Sequence, residues 1–175
     1  MKKIKKIVMT MLVGTACFLI GCKANINNGL EMLEAGKYEE AIVCFEKDIE
    51  EKKNLKEAYR GIGIAQFELQ DYQESLESFE KALENETEEN ATIYNFLGTG
   101  YLKLKNYEEA LENYKKALEQ EDCTVELKQE ILWNEIAIYQ EIGDWDTVKE
   151  KVADYIEAYP EDTSIEKTVE FLESR

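Results

Sequence analysis

One phrase of thirteen residues recurs along this chain and leaves few folds open to it. Asn106 to Leu118 reads NYEEALENYKKAL, and altered copies read KYEEAIVCFEKDI from Lys37, DYQESLESFEKAL from Asp71 and DWDTVKEKVADYI from Asp144. The copies start 34, 35 and 38 residues apart. A period of that size belongs to stacked units, each too small to bury its apolar face without its neighbours.

Within a copy, an aromatic is followed at +3, +7 and +10 by residues that share one helical face: Tyr107, Ala110, Tyr114 and Ala117, or Tyr72, Ser75, Phe79 and Ala82. Small residues on that face let a second helix approach, and the bulky ones fill the space on either side. Upstream of each copy runs a second helical stretch that carries Gly29, Gly63 or Gly98. Glycine inside a helix costs about 1 kcal/mol relative to alanine, so its recurrence predicts close helix contact there. Each unit is read as a helix pair turning at Gly36-Lys37, Gln70-Asp71, Lys105-Asn106 and Gly143-Asp144. Turns that recur this often exclude one continuous heptad coil.

This pattern resembles the tetratricopeptide repeat. The third unit matches through Tyr94, Leu97-Gly98, Tyr101, Tyr107, Ala110, Tyr114 and Ala117, and the second through Tyr59, Ile62-Gly63, Tyr72, Phe79 and Ala82, with Ser75 for alanine. The first keeps Gly29, Tyr38, Ala41 and Phe45 but has Asp48 where a small residue belongs. The fourth keeps Trp145 and Pro160, enlarges Val148, Val152 and Tyr155, and opens on either Leu132 or Trp133. The resemblance implies an all-α fold: a right-handed superhelix, or α-solenoid, of four helix hairpins at about 22–55, 56–89, 91–124 and 129–162. The first helices would then form its concave wall. A further amphipathic helix within 163–175, with Ile165, Val169 and Leu172 on one side, is expected to cap the last unit.

Residues 1–21 stand apart. MKKIKK is a basic opening and Ile7 to Ile20 an apolar run, the layout of a secretory signal and short for a permanent span. Its closing Leu19-Ile20-Gly21-Cys22 resembles the lipobox of bacterial lipoproteins. That resemblance implies cleavage before Cys22 and a diacylglycerol on its sulfur, with residues 22–28 as a lipidated N-terminus and short tether. Asn27 or Asn28 is expected to cap a helix beginning near Gly29. Asn54 with Glu57, and Thr163 with Glu166, have the spacing of capping boxes.

The chain is acidic, and loss of residues 1–21 takes its formal charge from −17 to −21. That balance argues against nucleic acid as a partner and against lying flat on anionic lipid. It has no histidine, which removes the commonest general base and most zinc sites. Ser164-Ile165-Glu166-Lys167 has the Ser-x-x-Lys spacing of some acyl transferases but reads as a helix start. No phosphate-binding or calcium loop is present in the sequence. Neither a catalytic residue nor a cofactor nor a metal is therefore predicted. With Cys17 cleaved off and Cys22 lipidated, Cys44 and Cys123 are expected to be free thiols, Cys44 packed and Cys123 more exposed.

What remains is a binding surface. Carried over from the family, the groove-facing residues are Arg60, Ile64 and Phe67 in the second unit, Asn95, Thr99 and Lys103 in the third, and Trp133, Ala137 and Gln140 in the fourth. The expected function is a non-catalytic adaptor, held outside the cytoplasm by lipid on Cys22, that binds a peptide or helix of a partner protein. A pilot or assembly factor for an outer-membrane secretion or pilus apparatus is the alternative, and an enzyme is a remote one.

Overall fold

The structure, a computed structural model, describes residues 26–85 and 90–174. The signal and lipobox expectations, Cys22 included, lie outside them. Eight helices come in pairs: α1 (Ile26–Glu34) with α2 (Tyr38–Glu50), α3 (Leu55–Glu68) with α4 (Tyr72–Glu84), α5 (Ala91–Lys103) with α6 (Tyr107–Glu119), and α7 (Val125–Ile142) with α8 (Trp145–Ala158). A 3-10 turn, Thr163–Ile165, then leads into α9 (Glu166–Glu173). The described residues contain no strand. Each helix packs on its successor, and first helices meet first helices, α1 on α3 and α5 on α7. The chain is an all-α solenoid.

The four turns within pairs share one geometry. Gly36, Gln70, Lys105 and Gly143 all take the left-handed conformation, at φ 69°, 67°, 62° and 79°. At each turn the next residue's N–H reaches back to a helix carbonyl, Lys37 to Met32, Asp71 to Gln66, Asn106 to Tyr101 and Asp144 to Tyr139, at 2.8–3.0 Å. The left-handed residue itself donates to Leu33, Phe67, Leu102 or Gln140. This pair of bonds satisfies carbonyls that a helix end leaves open.

Between helices, the phased glycines receive the phased aromatics. A Cβ built on Gly98 would lie 2.6 Å from the Tyr114 ring, and one on Gly63 3.0 Å from Phe79. Phe45 is held from both sides, by Gly29 of its own pair and by Gly61 of the next. Ala41, Ala110 and Ala117 are buried on the same face. Ser75, at the alanine position of the second unit, is buried too, and its hydroxyl donates to the Gly63 carbonyl at 2.8 Å. The fourth unit reverses the sizes. Counted from the left-handed residues, Ile136 takes the place of Gly98 and Val152 that of Tyr114, and both are buried in one cluster with Val148, Tyr155 and Ile165. Volume moves from one helix to the other while the gap stays filled. The same count puts Leu132 at the place of Tyr94 and Trp133 at that of Asn95.

The longer step into the fourth unit is accounted for by residues 120–124, which fold back on the third. Asp122 accepts a hydrogen bond from the Ala91 N–H at the start of α5, and Thr124 caps α7 by accepting from Leu127.

Several local expectations are corrected. The first helix begins at Ile26, so neither Asn27 nor Asn28 caps it. Asn54 is left-handed (φ 47°) and makes no capping bond. Its Nδ2 lies 3.5 Å from Asp48 Oδ1, and Lys52 has already closed α2 with a turn of the kind described above. Asp162, rather than Thr163, caps the 3-10 turn by accepting from Ser164. Cys44 is disulfide-bonded, not free. Cys123 is free but sits in the central apolar cluster.

Candidate functional site

The first helices α1, α3, α5 and α7 form one wall, and the candidate residues lie along it in phase. Arg60, Asn95 and Trp133 occupy one position of successive units, Ile64, Thr99 and Ala137 the next turn, and Phe67 and Gln140 the turn after. Lys103 stands one residue beyond that row, in line with Glu68 and Glu141.

Arg60 and Lys103 are exposed, and neither makes an ion pair among the described residues. Ile64 is half-buried at the edge of the central cluster. Phe67, also half-buried, meets Tyr72 and Phe96 edge-on at 5.3 and 5.5 Å, and Phe96 stacks on Phe79 at 4.9 Å. Phe67 therefore spans the junction of the second and third units while keeping one side open.

Further along, the wall becomes polar. Asn95 is buried, its Nδ2 donating to Glu130 at 3.0 Å while its Oδ1 has no partner. Thr99 Oγ1 lies 3.1 Å from the Tyr114 hydroxyl. Burial pushes that phenol up to about 12, with Glu130 and Glu135 adding to the effect and hydrogen bonds from Thr99 and Asn134 opposing it. In the fourth unit, Trp133 Nε1 donates to the Tyr155 hydroxyl at 3.0 Å, and Tyr155 donates in turn to Asp162. Burial and that bond raise the Tyr155 pKa, while bonds from Ser164 and Tyr155 lower that of Asp162. Trp133 is thus tied to the chain that closes the last unit. Ala137 and Gln140 are half-buried beside it.

The family profile of the tetratricopeptide repeat matches residues 27–85 and again 60–122, together more than half of the chain. This chain belongs to the tetratricopeptide repeat family. Among solved structures it is similar to YrrB, described as a TPR protein with an unusual peptide-binding site. The identity is 25% and the TM-score 0.65, over 81% of this chain and 71% of that one. It is also similar in fold to MamA AMB-1, at 16% identity and a TM-score of 0.65 over 83% and 77% of the two chains. No curated protein sequence matches it. The tetratricopeptide fold indicates an interaction scaffold that binds protein or peptide.

The sequence reading missed the contribution of the first repeat to the wall. Ile26 and Leu30 stand 34 residues before Arg60 and Ile64, and Leu30 is 41% exposed. The repeat offset alone carries that signal, because this unit lacks the opening aromatic. Among the described residues no group of Cys, Asp or Glu gathers as a metal site, and no helix is long and apolar enough to cross a membrane.

Proposed function

We propose that this protein is a non-catalytic adaptor of the bacterial cell envelope, anchored by lipid on Cys22, that holds an extended peptide or a helix of a partner protein against the wall of first helices. The carrying observation is that wall: open side chains of several kinds, held in phase by the stacked helix pairs. Ile64 and Phe67 offer apolar surface, and Arg60 and Lys103, with no ion pair among the described residues, offer donors for main-chain carbonyls or a carboxylate. The peptide-binding site of the similar YrrB supports the same reading. The lipobox resemblance supports the anchor, with residues 1–21 as signal and 22–28 as tether, and in a cell with two membranes the outer one is expected. Absence of catalysis rests on the family's usual role.

A crosslinked pull-down from membranes tests the surface, with wild type set against Arg60→Ala/Asn95→Ala/Lys103→Ala. The account expects the triple variant to lose specific proteins that the wild type recovers. Equal recovery from both refutes the wall as the binding surface. The mass of the mature N-terminus tests the anchor: the account expects diacylglyceryl on Cys22, and an unmodified Cys22 on native protein refutes it.

A further inference from the structure

We infer that the α1–α3 end of this wall takes a basic amphipathic segment of a partner protein, its apolar face on Leu30, Ile64 and Phe67 and its cationic flanks against the carboxylates beside them. The inference rests on the wall being the binding surface and adds the chemistry of what it binds. The 34-residue offset sets Leu30 of α1 in line with Ile64 of α3, and the two helices pack together. Leu30 is an exposed large apolar side chain, Ile64 and Phe67 are half-open, and the stripe fades to Thr99 and Ala137 in the later units. An exposed apolar stripe bordered by charge is what a helix-in-groove partner covers.

The border selects the partner's sign. Glu31 and Glu34 on α1 and Glu57 and Glu68 on α3 are all exposed, whereas Arg60 is the single exposed cation on these two helices. α5, where the stripe turns polar, carries no acid at all. α7 carries acids as well, at Glu126, Glu130 and Glu141, but there they border Thr99 and Ala137 rather than an open apolar stripe; at the α1–α3 end four exposed carboxylates face one exposed cation across apolar surface. An acidic segment, nucleic acid or an anionic lipid face would meet this border as like charge, in a chain already at −17. Lysines or arginines flanking an apolar face would meet it as counter-charge. Arg60 sits amid the stripe, where its guanidinium can donate to the carbonyls left open at a bound helix's C-terminal end.

Three synthetic peptides of about sixteen residues, long enough for an amphipathic helix, test this with the full-length chain by fluorescence anisotropy at physiological salt. One has Leu on one face and Lys on the other, one has the same composition scrambled, and one has Glu in place of Lys. The patterned Leu/Lys peptide should bind about tenfold more tightly than either of the others. Leu30→Asp/Ile64→Asp should abolish that preference, and Glu34→Lys/Glu68→Lys should weaken binding about tenfold. Glu74→Lys/Glu77→Lys makes the same change of net charge on exposed positions of α4 and should leave affinity within about twofold. Circular dichroism shows that each variant is folded. Equal binding of the scrambled peptide, or equal loss from the α4 variant, overturns the inference by showing charge attraction without a site. If the Leu/Glu peptide is the one bound, and Leu30→Asp/Ile64→Asp abolishes it, the wall stands and its basic partner falls. If no peptide responds to that variant, the wall falls as well.

Discussion

A Cβ at Gly98 meets the Tyr114 ring at 2.6 Å with backbone on one side and a fully buried ring on the other, so Gly98→Ala should destabilise by about 1–3 kcal/mol, read from urea midpoints. The fourth unit contains the remedy. Gly98→Ile/Tyr114→Val copies its Ile136 and Val152, and the double variant should lose at least about 1 kcal/mol less than the sum of the two single variants. Asp48 is the opposite case: fully buried, with Oδ2 unpartnered, where the next two units have Ala82 and Ala117. Asp48→Ala should raise stability by about 1 kcal/mol, because one carboxyl oxygen is buried with no hydrogen-bond partner and the other has only a long contact with Asn54. Tyr114 also sets an alkaline limit. Its folded pKa, about 12, lies above the ordinary 10, so the folded chain keeps a proton that the unfolded chain gives up. Its contribution is complete below pH 10 and is lost as pH rises towards 12. Thermal melts should fall across that window, and Tyr114→Phe should flatten the fall. At this scale the sequence was a good guide to glycine and aromatic partners, since a costly residue recurring in phase needs a reason. It was a poor guide to Asn54, where spacing alone cannot tell a cap from a left-handed turn.

Helices and the turns inside each pair were legible because left-handed positions followed by a polar residue recur with the period. Two of the four use a side chain where glycine is free of strain. Gln70→Gly and Lys105→Gly should each stabilise by about 0.5–1 kcal/mol, since the left-handed conformation costs a side-chain residue about that much and the hydrogen bonds of the turn are unchanged. Equilibrium urea unfolding with an unaltered slope would show this. The same two substitutions bring their turns to the state of Gly36 and Gly143, where no atom lies within 4 Å of a built Cβ. Less legible was the segment after α6. Its length was visible, but the bond from Asp122 to the start of α5 joins residues 31 apart and belongs to no local pattern.

Along the whole molecule, three apolar clusters follow one another from the first pair to the cap instead of surrounding a common centre. That arrangement makes the wall, and the repeat offset puts Arg60, Asn95 and Trp133, carried over from the family, in one row. Phase could not show that Asn95 is buried against Glu130 or that Trp133 is bonded to Tyr155, because the first depends on a contact between units and the second on one between the two helices of the fourth. The most direct test of the account is hydrogen exchange on the full chain with and without a partner recovered from membranes. New protection is expected to concentrate in α1, α3 and α5, with α2, α4 and α6 unchanged. Protection confined to α2, α4 and α6, or spread equally over all six helices, would contradict it.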